Sequence, residues 1–265
     1  MENRAPIARD SCLASVAGTY REWHAVGPLA GYLACTWMNA LPESATPLVL
    51  VRVIPDGCVD IIWTGENLRV AGPDTGPMFE SFPPGTVIVG ARFRPGAAPP
   101  WLGVPAPEIV NRRLPLQEFW GADARRLADQ LQEVRDPRRI AELMLSALIS
   151  RRPRPSLVDA TARAVVDAFE REKDGRVHIG ELTATLGLSE RTLRRRCESA
   201  FGYGPKTLER ILRFQQFLRL LRRSTVPGLA ELAAASGFAD QPHLTREVRR
   251  LGGLTPAGFM AQLAA

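Results

Sequence analysis

The last hundred residues carry one helical pattern twice. Ile179, Glu181, Leu182 and Ala184 precede Gly187, and Leu193, Cys197 and Pro205 follow it. Leu229, Glu231, Leu232 and Ala234 precede Gly237, and Leu244, Val248 and Pro256 follow that. The copies are offset by 50 residues before the turn and by 51 after it, so the second turn is one residue longer. Self-similarity of this kind marks a duplicated supersecondary unit.

Each copy meets the requirements of a helix-turn-helix: a short helix of small and apolar residues, a tight turn with glycine, and a second helix with a narrow buried stripe. In the first copy Gly187 suits the positive φ that ends a helix, and Ser189 can accept from the backbone donors of the next one. Leu193 and Cys197, four apart, face inward. That leaves Arg191, Arg194 and Arg195 outward, a cluster that repels itself unless it meets an anion. In the second copy Leu244, Val248 and Leu251 form the inward stripe, Asp240 is the expected N-cap, and Pro242 falls in the first turn, where a missing N–H costs little. Gln241, Thr245, Arg246 and Arg249 then face outward. Between the copies, Leu208, Ile211, Leu212, Phe214, Phe217, Leu218 and Leu221 recur near a 3.6 period, which predicts one helix over Lys206 to Arg223. Its roughly 27 Å length is close to the about 34 Å between successive major-groove faces of DNA. One rigid helix can therefore hold two reading helices near neighbouring grooves, with some bending of the DNA or an imperfect fit of one helix.

The segment from about Leu157 to Leu263 resembles the DNA-binding domain of the AraC/XylS family of bacterial transcription regulators. The residues that carry the resemblance are Gly187-Leu188-Ser189-Glu190-Arg191-Thr192-Leu193-Arg194-Arg195, Phe201-Gly202-Tyr203-Gly204-Pro205, and the run from Ala234 to Arg246 that includes Gly237-Phe238-Ala239-Asp240-Gln241-Pro242-His243. The resemblance implies double-stranded DNA as the partner. It also implies base-reading positions at Arg191, Arg194 and Arg195 in the first unit and at Gln241, Pro242, Thr245 and Arg246 in the second. The chain departs from the family pattern at Cys197 and Val248, where Phe is usual, and at Gly252, where Thr is common, so looser packing is expected in the second unit.

Charge follows the same division. Residues 1–150 hold 14 basic and 16 acidic side chains, and residues 151–265 hold 20 and 12, so the positive charge lies where phosphate attraction needs it. Arg151-Arg152-Pro153-Arg154-Pro155 reads as the join, because its prolines stop a helix and its arginines stay solvated. The expected organisation is α+β: an N-terminal sensor and dimerisation domain over 1–150 and an all-α tandem helix-turn-helix domain over 156–265. No apolar run of bilayer length and no signal sequence is seen, so a cytoplasmic protein without membrane contact is expected. Cys12, Cys35, Cys58 and Cys197 have no metal-ligand spacing and suit a reducing compartment. His24, His178 and His243 are scattered, so neither a metal nor a cofactor is expected.

In the N-terminal part, Leu48 to Ile54, Cys58 to Trp63, Leu68 to Ala71 and Thr86 to Phe93 are β-rich runs between Pro, Gly and Asn turns, expected to form an antiparallel sheet or small barrel. Ala122 to Val134 and Pro137 to Ile149 have helical spacing. The layout is similar to the family's cupin-like sensor domain, whose helices mediate dimerisation. Pro55-Asp56-Gly57-Cys58-Val59-Asp60 and Gly90-Ala91-Arg92-Phe93-Arg94-Pro95-Gly96 resemble stretches of a little-characterised subset of these regulators. Trp37, Trp63 and Trp101, with Tyr32 and Phe93, are candidates to line a small-molecule effector pocket, and Arg92 or Arg94 to hold an anionic group on that effector. The competing reading makes the aromatics ordinary core and pairs the arginines with Asp56 or Asp60. Cys58 sits beside carboxylates, which raise a thiol pKa, so it reads as a small buried residue. Leu127, Leu131, Leu143 and Leu148 form stripes that either make a two-fold homodimer interface or pack inside the protomer.

The absence of phosphate loops, nucleophile elbows and zinc-hydrolase motifs argues against an enzyme. The expected function is sequence-specific transcription regulation, as activator or repressor, with an effector bound to the N-terminal domain and contact to RNA polymerase. The alternative is an effector-independent regulator whose N-terminal domain only dimerises or contacts partners.

Overall fold

A period of two along the strands decides which side of the N-terminal sheet each residue faces. The computed structural model describes residues 12–44, 46–153, 160–171, 179–223 and 228–264. Its strands are β1 (Cys12–Leu13), β2 (Thr19–His24), β3 (Leu33–Ala40), β4 (Val49–Val53), β5 (Val59–Trp63), β6 (Leu68–Ala71), β7 (Met78–Phe82), β8 (Val87–Phe93) and β9 (Arg113–Pro115). Six of them form an antiparallel sheet in the order β2-β3-β8-β5-β6-β9, and β1-β4-β7 form a smaller sheet. Two stacked sheets with no shared strand replace the closed barrel that was one of the expected forms.

Register fixes rows across the large sheet. Cys35, Arg92, Asp60, Ala71 and Arg113 are successive partners in one row, and Glu22, Trp37, Gly90, Ile62 and Arg69 in the next. These rows face the small sheet. The alternate residues Leu33, Ile61, Trp63, Val89, Ala91 and Phe93 face the other way, into a core closed by helices. Short helices α1 (Pro99–Leu102) and α2 (Gln117–Trp120) lead into α3 (Ala122–Gln132) and α4 (Pro137–Ser150), and Asp136 caps α4 by accepting from Arg138 N–H. Burial of these side chains, each worth about 1.5 to 3 kcal/mol, is what attaches the helices.

The strands over Val49–Val53, Val59–Trp63, Leu68–Ala71 and Val87–Phe93 and both helices match expectation within two residues. β1, β2, β3, β7 and β9 have no counterpart among the expected runs. β3 is buried on both faces, so its sequence lacks the alternation that marks a half-buried strand. Leu127, Leu131 and Leu148 are 5%, 0% and 1% exposed within one protomer, and Leu143 is half-buried. These stripes therefore cannot serve as the surface of a two-fold dimer, and Leu131→Glu is expected to unfold the domain rather than to yield a soluble monomer. The join is also more engaged than expected: Arg151 lies 5.0 Å over Trp120 and pairs with Asp123, and Arg152 lies 5.5 Å over Tyr32. Arg154 and Pro155 lie outside the described residues, as does His178.

The C-terminal part is helical: α5 (Ala160–Arg171), α6 (Ile179–Leu186), α7 (Glu190–Phe201), α8 (Pro205–Arg223), α9 (Leu229–Ala235), α10 (Gln241–Gly252) and α11 (Pro256–Ala264). α8 is the single connecting helix the periodicity predicts. Its Leu208, Ile211, Phe214 and Phe217 are fully buried in a core shared with both repeats. Leu13, Ile54 and Val110 of the N-terminal part pack into the same core, and Gln215 Nε2 donates to Pro55 O at 2.7 Å.

Candidate nucleic-acid interface and interior cavity

The two helix-turn-helix units are built with the same bonds. At the end of α6, Gly187 N–H donates to Ala184 O and Leu188 N–H to Thr183 O; at the end of α9, Gly237 N–H donates to Ala234 O and Phe238 N–H to Ala233 O. Both are the glycine-terminated helix ending in which carbonyls of the last turn are satisfied by the two residues that follow. Gly187 and Gly237 have φ of 63° and 77°, which a side chain would oppose. Ser189, two residues after its glycine, caps α7 by accepting from Thr192 N–H, and Asp240, three residues after its glycine, caps α10 by accepting from His243 N–H. That difference is the extra residue of the second turn.

Leu193 and Cys197 of α7, and Leu244, Val248 and Leu251 of α10, are at most 2% exposed. The opposite faces are open: Arg191, Arg194 and Arg195 in the first unit, and Gln241, Pro242 and Arg246 in the second, are exposed, with Thr245 half-buried beside them. Arg194 Nε donates to Glu198 Oε1 at 2.7 Å, a surface pair that phosphate or guanine can displace at little cost. Thr245 Oγ1 donates to Gln241 O at 2.9 Å, which turns its hydroxyl hydrogen back onto its own helix. His243 accepts from Ala239 N–H through Nδ1 and packs edge-on to Phe238, so it finishes the helix start.

The second unit is not loosely packed. A Cβ on Gly252 would lie 2.3 Å from Phe259 and 2.9 Å from Phe214, and Phe259 is fully buried against Phe214 and Phe217 at 5.7 and 6.5 Å. The missing side chain at Gly252 makes room for a large one at Phe259.

Both recognition helices rest on the N-terminal part by their C-terminal ends. A Cβ on Gly202, which ends α7, would lie 2.0 Å from Val110, and one on Gly253, which ends α10, would lie 3.3 Å from Pro77. Their N-terminal turns, which carry the outward polar residues, point away from these contacts along each helix.

Between the two sheets lies a cavity of about 580 Å³. The large sheet contributes Glu22, Trp37, Asn39, Asp60 and Arg92, the small sheet Val51 and Phe82, and the helical part Gln215, Arg222 and Leu263. Asp60 accepts from Trp37 Nε1 at 2.9 Å and from Arg92 Nε at 3.1 Å, and Asp56 lies 3.5 Å from Arg92 Nη1. Burial raises the Asp60 pKa, which Arg92 opposes and Asp56 adds to. Arg113 is bidentate to Asp74 at 2.9 and 2.8 Å and also reaches Glu80 at 2.9 Å; Arg69 pairs with Glu80 as well. Burial, reinforced by Asp56, holds the Cys58 thiol well above its ordinary value, and burial pushes Cys35 up to about 12. Neither thiol is an activated nucleophile.

The candidate effector residues separate. Trp37 and Arg92 line the cavity. Trp63 and Trp101 lie in the helix-facing core, where Trp101 Nε1 donates to Leu148 O at 3.2 Å, so they line no part of it. Arg94, past the end of β8, donates to Ala30 O at 3.2 Å and also stands outside it. Tyr20, Glu22 and Asn39 were missed, although Tyr-x-Glu and Trp-x-Asn on paired strands put all three on one face with Trp37. Gly90 was the available signal for the indole: its missing Cβ leaves the space that the Trp37 ring occupies, at 2.4 Å.

Residues 182–262 match a family described as a helix-turn-helix domain, and residues 21–115 match one described as a domain of unknown function, DUF6597. No curated protein matches the chain. Among solved structures, the DNA-binding domain of AdpA, a global transcriptional factor in complex with a target DNA, is 31% identical; the match covers 39% of this chain and 91% of that one, with a TM-score of 0.36. A probable AraC family transcriptional regulator from Rhodopseudomonas palustris is 24% identical over 40% of this chain and 98% of that one, with a TM-score of 0.37. ToxT from Vibrio cholerae is 10% identical over 88% of this chain and 94% of its own, with a TM-score of 0.45. Among the described residues no helix is long and apolar enough to cross a membrane. An antiparallel sheet domain is thus followed by an AraC-type helix-turn-helix domain of the kind found in DNA-binding transcription regulators.

Proposed function

We propose that the chain reads a promoter through both helix-turn-helix units and that a small molecule held in the cavity between the sheets sets its operator affinity. The observation that carries the first part is the pair of capped recognition helices with open polar faces, joined by the one helix α8. In the first unit Arg191, Arg194 and Arg195 supply forks for guanine and phosphate. In the second, Gln241 suits adenine, Arg246 guanine or phosphate, and Pro242 and Thr245 offer apolar contact to thymine methyl groups. Footprinting of the full chain on its own promoter tests this reading. Two protected major-groove stretches about one helical turn, roughly 10 base pairs, apart support it; a single protected stretch contradicts use of both units.

The second part is supported by the cavity wall itself. Gln215 of α8 and Leu263 of α11 line it together with Trp37 and Arg92, so an occupant can touch both the sheet domain, assigned to 1–150, and the DNA-binding domain, assigned to 156–265. Ala71→Phe fills the cavity. A promoter reporter whose output varies with growth medium in the wild type should become invariant in this variant; retained variation would contradict effector control and favour an N-terminal domain that only dimerises or contacts partners such as RNA polymerase. A homodimer would use a face other than the buried stripes of α3 and α4.

A further inference from the structure

If the cavity holds an effector, as proposed above, its walls specify the charge that effector carries. The lining holds two groups of charges. Asp74 and Glu80 are met by Arg113 and Arg69, and this quartet is balanced. Asp56 and Asp60 share Arg92, and Glu22 accepts from the Tyr20 hydroxyl at 2.6 Å, so on this wall three carboxylates stand beside one guanidinium. Arg52 and Arg222 also line the cavity. Arg52 lies over the Phe79 ring at 5.4 Å and reaches toward the end of α10, 4.0 Å from the Cβ position of Gly253. Arg222 meets Ser15 at the rim, 3.4 Å from its hydroxyl.

The same wall is rich in acceptors. Asn39 is 3% exposed and donates through Nδ2 to Ala14 O, while its Oδ1 has no hydrogen-bond partner among the described residues. Tyr20 and Trp37 stack beside it with ring centroids 6.0 Å apart. Carboxylates, a free amide oxygen and aromatic faces are what an ammonium group, with three donors and no acceptor, requires. An anionic ligand would meet Arg92 only after displacing Asp56 or Asp60, and would leave that carboxylate unpaired in a buried site.

We propose that the cavity binds an organic cation, a primary amine with an aromatic or aliphatic body. Its ammonium group sits among Glu22, Asp60 and Asn39, and its body lies along Ile62 and Ile88 toward Leu263. Glu22, exposed at the mouth, draws the cation in. Asp60, whose charge is strained by burial, is relieved by a second cation beside it. Because Leu263 belongs to α11, the depth to which the body reaches is felt by the DNA-binding domain.

The test uses the full chain and matched probes of one shape: 2-phenylethylamine, n-hexylamine, 3-phenylpropionate and 2-phenylethanol, followed by calorimetry and thermal shift. At least one amine should bind, with affinity at least tenfold above its carboxylate or alcohol counterpart, and at least tenfold weaker in Glu22→Gln, an exposed position whose change leaves the fold intact. Asp60→Asn should weaken it further, and if that variant unfolds the Glu22→Gln comparison still decides. Binding of 3-phenylpropionate as tight as that of the amines overturns the cation assignment while leaving the effector reading in place. Absence of amine binding overturns it too, and the Ala71→Phe reporter result then judges the effector reading separately. Amine binding unaffected by Glu22→Gln places the amine elsewhere and also overturns it.

Discussion

The two helix-turn-helix units share their turn bonds, their caps and their buried stripe, yet present different chemistry and different attachments. The first exposes Arg191, Arg194 and Arg195 on α7, a face of guanidinium forks; the second exposes Gln241, Pro242 and Arg246 on α10 with Thr245 half-buried beside them, a face that mixes neutral groups with guanidinium. α7 ends on Gly202, where a Cβ would overlap Val110 of the sheet domain at 2.0 Å, and α10 ends on Gly253, where a Cβ would crowd Pro77 at 3.3 Å. The second helix is further tied to α8 by Arg210 and Glu247 at 2.5 Å, and the Phe214, Phe217 and Phe259 rings join α8 to α11. Duplication thus preserved the scaffold while the reading face and the anchorage diverged. The sheet domain is positioned to act on the first unit directly and on the second mainly through α8.

The sharpest way to break this comparison is to remove the ring that only the second unit has. Phe259→Ala should cost about 3 to 5 kcal/mol, the range for a buried aromatic truncation, read by denaturant unfolding, and should weaken protection of the second half-site before the first. Next come the two terminal glycines. Gly202→Ala adds an overlap with Val110 to the strain of a positive φ, for a loss of roughly 2 to 4 kcal/mol, whereas Gly253→Ala adds to the strain only a mild crowding of Pro77, for about 1 to 2 kcal/mol. Equal losses would mean that α7 is no more firmly seated on the sheet domain than α10. The smallest effects belong to the caps: Ser189→Ala and Asp240→Ala should each cost about 1 kcal/mol, and a clear difference between them would show that the longer second turn changes the cap.

Sequence pattern alone exposed the helical part far better than the sheet domain, for a physical reason. The repeats announce themselves because each turn needs glycine at positive φ and each recognition helix needs a cap, and both needs are written in single residues: Gly187 with Ser189, Gly237 with Asp240. β3 carries no such mark because both of its faces are covered. The effector residues could not be sorted while register was unknown. Trp37 and Trp63 are each one aromatic in a strand, and only the pairing of Trp37 with Gly90 and of Trp63 with Val89 puts them on opposite faces. The buried leucines of α3 and α4 looked sufficient for a dimer surface because sequence does not reveal that β3, β5 and β8 offer a whole apolar face to cover. At Gly252, a departure that suggested loose packing is explained by Phe259, seven residues away and one helix later.

The central claim, that both units read bases, is tested most directly by binding isotherms of Arg195→Ala and Arg246→Ala on operator DNA and on scrambled DNA of the same length and salt. Each variant should lose about 1 to 3 kcal/mol on the operator, the worth of a bidentate base contact, with a much smaller loss on the scrambled duplex. Equal losses on both DNAs for either variant would contradict the claim for that unit and reduce its arginine to a phosphate contact.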